Sequence, residues 1–257
     1  MGRAYIGGMA ESRFDGWTAA HYARLWPELF EPSLVEATTD FLAGLAGGGA
    51  ALEFGVGTGR IAIPLSRRRI PVYGIELSAA MIRELRAQPG SDAVTVSLGD
   101  FATTTVDGSF SLVYLLRNTI TNLTTREEQA QAFRNAAGHL GAGGRFVIEN
   151  YVPVPAESPR LFADTGQHRG VEVYDVGKQI AVSHHTWILD GEVHTYASAH
   201  RYVGTAELDD MARAAGMSLR ERWADWQRGP FTDTSPAHIS VWQARVDLSR
   251  PGTAEND

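Results

Sequence analysis

Residues 51–60, Ala-Leu-Glu-Phe-Gly-Val-Gly-Thr-Gly-Arg, constrain this chain more than any other stretch. Apolar Ala51 and Leu52 lead through Glu53 into the alternating glycines Gly55, Gly57 and Gly59. Ile61, Ala62, Ile63 and Leu65 follow at helix-like spacing. This predicts a buried strand, a tight turn and a helix start. Glycine is needed where backbone takes a positive φ or passes too close to a ligand for a Cβ. N–H groups exposed at the helix start favour an acceptor-rich ligand such as a nucleoside or a carboxylate. Gly57-Thr-Gly59-Arg-Ile-Ala62 also fits the dinucleotide fingerprint G-x-G-x-x-[GA], with Glu76 roughly where that motif places its ribose acid.

Downstream, strands and helices alternate. Strands are predicted at 72–77, 94–98, 110–116 and 145–150, and helices at 78–88, with Ser78 as N-cap, and at 124–140. Thr124 and Glu127 have capping-box spacing, and 141–144 reads as a glycine turn. Near-continuous apolar strands joined by helical crossovers make a parallel sheet covered on both faces. Glu53, Glu76, Asp100, Arg117 with Asn118, and Glu149 with Asn150 all fall at strand carboxyl ends, where such sheets bind ligands. Carboxylates there are costly unless they meet a donor-rich partner.

Ahead of the glycine loop, 14–26 is predicted helical, with Phe14, Trp17, His21 or Tyr22, and Leu25 on one stripe. A second helix from Ser33 carries Leu34, Ala37, Phe41, Leu42 and Leu45 up to Gly47-Gly48-Gly49. Beyond residue 150 the pattern becomes β-rich. Asp190-Gly191 is a two-residue hairpin signal that would pair Leu189 with Glu192, Trp187 with His194 and His185 with Tyr196. One face would present His185, Trp187, His194 and Tyr196. The other would present Ile180, Val182, Ile188, Val193, Ala197 and Ala199 and is expected to pack on the protein. The aromatic face is then a substrate cup, an oligomer contact or a wetted surface. The chain returns through a helix at 206–216 to strands at 219–226 and 239–244, which must pair as a hairpin because no helical crossover fits between them.

The expected organisation is a helical cap at 1–46, an α/β core at 47–150 and 204–246, a β-rich lid at 151–203 and loose tails, one of them at 247–257. The fold class is α/β: a doubly wound, mainly parallel seven-stranded sheet with an antiparallel last strand, plus a small antiparallel β insertion after strand five. At 257 residues one such domain with an insertion suffices. A net charge of −7 gives no attraction to phosphate backbones, so no nucleic-acid partner is expected. No apolar run approaches the roughly 18 residues of a membrane span, and the start lacks the apolar region of a signal peptide. The absence of cysteine excludes disulfides and thiolate chemistry and suits a cytoplasmic protein. His185 and His194 have no third ligand on their face, and His184 points to the opposite one, so no metal site is expected.

Glu53-x-Gly55-x-Gly57-x-Gly59, followed by Glu76 and by Gly99-Asp100, resembles the cofactor loop of class I S-adenosylmethionine-dependent methyltransferases. The layout, with an insertion after strand five and then Glu207-Leu-Asp-Asp-Met-Ala and Arg222-Trp-Ala-Asp-Trp-Gln-Arg-Gly-Pro-Phe, is similar to the actinobacterial small-molecule branch. That branch includes aminosugar N-methyltransferases of antibiotic pathways. The resemblance implies S-adenosyl-L-methionine as cofactor and a small-molecule acceptor methylated at nitrogen or oxygen in natural product biosynthesis. It puts Gly55 and Gly57 at the methionine end, Glu53 on the amino group, Glu76 on the ribose hydroxyls and Asp100 on the adenine amino group. Phe101, Leu77 and Met81 would flank the ring, with Tyr22 and Leu116 also in the cofactor site. Leu115-Leu116-Arg117-Asn118 lacks the [DN]-P-P-[FYW] of base and glutamine methyltransferases, and the aspartate of magnesium-dependent catechol enzymes. Candidate proton acceptors are His185, His194, Glu149 and His238. Two alternatives stay open: a nicotinamide-dependent oxidoreductase, and a binding protein that holds the cofactor without transferring methyl. A homodimer through the insertion is a further expectation.

Overall fold

The computed structural model describes residues 14, 16–155 and 158–245. The expected loose tails, including 247–257, lie outside the described residues. Helix α1 (Gly16–Leu25) is followed by a short 3-10 turn (Pro27–Phe30) and α2 (Pro32–Ala46). The core runs β1 (Ala51–Phe54), α3 (Ala62–Arg67), β2 (Val72–Glu76), α4 (Ala79–Arg86), β3 (Val94–Leu98), β4 (Phe110–Leu115), α5 (Arg126–His139) and β5 (Leu140–Tyr151). Then come β6 (Arg160–Asp164), β7 (His168–Asp175), β8 (Ile180–Leu189) and β9 (Glu192–Arg201), followed by α6 (Thr205–Ala214), β10 (Met217–Trp223) and β11 (Ala237–Ala244).

The main sheet has seven strands in the order β10-β11-β5-β4-β1-β2-β3. β11 is antiparallel to both of its neighbours, whereas the pairs from β5 through β3 are parallel. Side-chain alternation supplies one core on each face. On β4, Leu112 and Tyr114 join one cluster with Leu42, Leu65 and Leu85 from α2, α3 and α4. Val113 and Leu115 join the other with Phe133 of α5 and Leu208 of α6. Full burial of a Leu or Phe contributes about 1.5–3 kcal/mol, so these two layers carry the fold. α2, grouped by sequence with the cap, buries Phe41, Leu42 and Leu45 in this core. Gly47 ends it at φ 58°, a left-handed C-cap.

Two local expectations shift. The capping box of α5 is Thr125 with Glu128, not Thr124 with Glu127: Thr125 Oγ1 accepts from the Glu128 N–H at 3.1 Å, and the Thr125 N–H donates to Glu128 Oε2 at 2.9 Å. Thr-Thr-Arg-Glu-Glu offers two registers of the same spacing, and the structure takes the later one. β5 starts at Leu140, so residues 141–144 belong to an irregular strand start rather than a separate turn.

β6 to β9 form a separate four-stranded antiparallel sheet in sequence order. The β8–β9 register is the expected one, with Leu189 opposite Glu192, Trp187 opposite His194 and His185 opposite Tyr196. The facing is reversed, however. Trp187 is 4% exposed and meets Trp26 edge to face at 5.3 Å, and His194 stacks on Trp17 at 4.1 Å. The aliphatic face is bare, with Ile188 46% and Val193 64% exposed. Alternation distinguishes the two faces of a hairpin. Which one is covered depends on the large rings that α1 and Trp26 present. At its base this sheet is fixed by Arg201, which is buried between Gln129 (2.5 Å) and Glu207 (2.7 Å).

Candidate functional site

At the tip of β1 the chain turns through Gly55, Gly57 and Gly59, at φ 70°, 54° and 79°. Gly55 takes a backbone conformation that side-chain-bearing residues rarely adopt, and a Cβ there would stand 3.0 Å from Thr119 Cγ2. The turn is held from below: the Gly55 and Val56 N–H groups donate to Ile75 O, and that of Gly59 donates to Val56 O. Glu76, at the end of β2, accepts from the Gly57 N–H at 2.9 Å on one oxygen and from the Ser78 N–H at 2.8 Å on the other. Each oxygen keeps a second lone pair for a ligand. Ser78 caps α4 by accepting from the Met81 N–H and ties in the cap by donating to Phe14 O at 2.7 Å.

Around this turn lies a cavity of about 350 Å³. Tyr22, Glu53, Gly55, Gly57, Glu76, Leu77, Met81, Asp100, Phe101 and Leu116 all line it, so the structure brings together every residue expected at the cofactor. Glu53 is fully buried, and burial pushes its carboxyl up to about 8, with the Tyr114 hydrogen bond opposing. Burial likewise raises Glu76, against the backbone N–H donors of Ser78, Gly57 and Leu77. Asp100 divides its work: Oδ1 accepts from the Ala102 N–H at 2.8 Å, which shapes the loop, while the side chain also lines the cavity. Phe101 stacks on Phe54 at 5.7 Å. Tyr22 is partly buried, with desolvation raising its phenol, and it packs against Trp26 at 4.9 Å.

A second cavity, also about 350 Å³, lies between the strand ends and the inner face of the lid. Phe14, Tyr22, Arg117, Thr119 and Asn122 line both cavities. Arg117 and Asn118 take consecutive left-handed conformations, φ 55° and 60°, which cost non-glycine residues about 1–3 kcal/mol each. Glu149 holds them there: its Oε2 accepts from the Arg117 N–H at 2.8 Å and its carbonyl accepts from the Asn118 N–H at 3.1 Å. Of the two, Arg117 lines both cavities and Asn118 the second alone.

Of the candidate proton acceptors, only His185 lines a cavity, the second one. Burial, with His168 second, lowers its imidazole to about 4, so it is neutral and weakly basic at pH 7. Glu149 lies outside both cavities, engaged with Arg117 and with the Trp226 indole N–H at 3.1 Å. His194 is stacked on Trp17, and His238 is buried beside Ser240 at 2.9 Å; neither lines a cavity. The structure therefore places none of these three at either cavity. The sequence reading missed Thr119, Asn122, Tyr151, Arg160 and Glu172. Tyr151 directly follows the strand-end pair Glu149-Asn150, a usable signal, whereas β6 carries no periodicity that would have placed Arg160.

The family profile described as a methyltransferase domain matches residues 51–144. The structure of the CcbJ methyltransferase from Streptomyces caelestis is 32% identical, covers 83% of this chain and 90% of its own, and superposes with a TM-score of 0.76. The cypemycin N-terminal methyltransferase of a Streptomyces species is 26% identical over 204 residues, 76% of this chain and 82% of that protein. The S-adenosylmethionine-bound CalS10, an amino pentose methyltransferase from Micromonospora echinaspora, shares the fold at 20% identity, with a TM-score of 0.65, over 93% of this chain and 99% of its own. The chain belongs to the class I S-adenosylmethionine-dependent methyltransferases.

Proposed function

We propose that the first cavity holds S-adenosyl-L-methionine and the second a small-molecule acceptor methylated at nitrogen or oxygen. The observation that carries this reading is that the two cavities adjoin, with Tyr22, Arg117, Thr119 and Asn122 lining both. The donor set fits the cofactor. Glu53 is a buried carboxyl whose charge is stabilised by a cation, here the amino group. Glu76 offers carboxylate acceptor oxygens to a vicinal diol. Asp100 accepts from the adenine amino group between Leu77, Met81 and Phe101. Backbone at Gly55 and Gly57, with Tyr22 and Leu116, encloses the methionine end. When bound, S-adenosylmethionine supplies an electrophilic methyl carbon on a sulfonium. The chain's contribution is to align the acceptor lone pair and exclude water. A dinucleotide fits less well, because the Gly57 and Gly59 N–H groups that would cradle a pyrophosphate already donate within the protein.

The bare aliphatic face of the lid supports a homodimer. A four-stranded face of this length covers on the order of 500 Å², approaching the roughly 800 Å² per partner of a stable interface. None of the described helices is long and apolar enough to cross a membrane, and the cysteine-free chain fits a cytoplasmic setting. The actinobacterial relatives support a role in secondary metabolism. Titration with S-adenosylhomocysteine and with NADH tests the cofactor; binding of NADH alone contradicts the reading. Mass-spectrometric screening of amino sugars, phenols and carboxylates for the gain of one methylene mass then identifies the acceptor. Cofactor binding with no acceptor methylated across such screens would favour the non-catalytic alternative.

A further inference from the structure

The inner face of the lid is organised in rows across the strands. Arg160 pairs with Glu172, Glu172 with Ser183, and Ser183 with Ser198, so these four side chains form one polar stripe over the second cavity. The next row, Gly170, His185 and Tyr196, is ring-rich: Phe162 lies over Gly170, where a Cβ would stand 2.3 Å from its ring, and packs on His185 at 5.2 Å. Within the stripe, the Glu172 carboxylate accepts from Ser183 Oγ at 3.0 Å and from the Tyr174 hydroxyl. Tyr151 lines the same cavity from the end of β5. Its backbone N–H donates to Asn118 Oδ1 at 2.8 Å, which fixes it to the strained turn. Its hydroxyl is buried and has no hydrogen-bond partner among the described residues. Burial, with Glu172 second, pushes the phenol up, so it remains a proton donor at all physiological pH values.

A buried hydroxyl without a partner costs stability, and such violations are expected where a ligand completes the site. We propose that Tyr151 and Glu172 form a specificity subsite, belonging to the second cavity alone, that reads a hydroxyl group on the acceptor. The Tyr151 hydroxyl donates to the acceptor oxygen, and that oxygen donates its own hydrogen to Glu172. A hydroxyl satisfies both demands at once. A carboxylate or phosphate accepts from Tyr151 but has no hydrogen to donate to Glu172 and sets like charge beside it. A hydrogen atom in the same place leaves both protein groups unpaired. The inference rests on the second cavity being the acceptor site, and it adds which acceptors that site selects.

The test uses the full chain with trans-4-aminocyclohexanol, cyclohexylamine and trans-4-aminocyclohexanecarboxylate as probes. Binding is measured by ligand-observed NMR with and without S-adenosylhomocysteine. The wild type is expected to bind the amino alcohol at least about tenfold more tightly than the parent amine, because a site built for a hydroxyl rejects the analogue lacking it. Tyr151→Phe and Glu172→Gln each remove that preference, read as the ratio of amino alcohol to parent amine affinity within each variant, and Glu172→Gln also improves carboxylate binding. Because Tyr151→Phe deletes only an unpaired hydroxyl, its Tm is expected at or above that of the wild type. Equal binding of amino alcohol and parent amine, no binding of any probe, or a preference that survives Tyr151→Phe overturns the subsite. Failure of S-adenosylhomocysteine to bind by calorimetry overturns the cofactor reading instead, and the two results are read independently.

Discussion

Tyr114 donates its hydroxyl hydrogen bond to Glu53 Oε2 at 3.0 Å, in the interior of the sheet and directly beneath the glycine turn. Burial holds the Glu53 carboxyl at about 8 against an ordinary 4.5, so the free protein keeps this acid protonated at pH 7. A cationic amino group arriving in the first cavity favours the ionised form. S-adenosylhomocysteine binding at pH 7 is therefore expected to release up to about one proton, measured by calorimetry in buffers of differing ionisation enthalpy. In Glu53→Gln the release disappears. The stability linkage has the opposite slope to that of an ordinary ion-paired carboxylate. Between pH 4.5 and about 8 the folded chain binds the extra proton, so stability from this group is present below 4.5 and lost as pH rises. The wild type is expected to lose up to about 1.4 kcal/mol per pH unit across that window relative to Glu53→Gln.

Glu76 serves two backbone donors and, in the proposed complex, a diol. Glu76→Ala is expected to weaken S-adenosylhomocysteine binding by about 1–3 kcal/mol, the range for hydrogen bonds to a charged group. A calorimetric Kd equal to that of the wild type contradicts this role.

Gly74 lies on β2 beneath the cofactor turn, where an added Cβ would stand 2.6 Å from Val56 Cβ. Val56 is itself buried in the core and has nowhere to retreat. Gly74→Ala is expected to cost about 1–3 kcal/mol, as for overpacked cores, and to displace the turn. Thermal denaturation should show a lower Tm together with weaker S-adenosylhomocysteine binding; an unchanged Tm refutes the packing account.

Ile188 and Val193 are cross-strand partners on the bare face of the lid. The double variant Ile188→Glu, Val193→Glu is expected to convert a dimer into a monomer in sedimentation velocity, because like charges at the centre of an apolar contact oppose association. A wild-type chain that sediments as a monomer removes the dimer proposal outright.

The α/β core and the first cavity were legible in the sequence because strand-end position and glycine conformation are local properties: Glu53, Glu76 and Asp100 sit where their strands end. The β8–β9 register was legible for the same reason, since Asp190-Gly191 dictates the turn. What the sequence did not reveal depends on contacts between distant segments. Trp17 and Trp26 decide which lid face turns inward. Glu149 reads as a cavity acid until the left-handed Arg117-Asn118 turn is seen to consume it. Arg160 and Glu172 meet only through the ladder of a short strand that carries no periodic signal.

A crystal structure of the chain with S-adenosylhomocysteine is the decisive measurement. The expected result is the ribose diol on Glu76, the amino group at Glu53, and the sulfur facing the Tyr22–Thr119–Asn122 wall toward the second cavity. A nucleoside bound elsewhere, or a sulfur turned away from that wall so that no line leads into the second cavity, would contradict it.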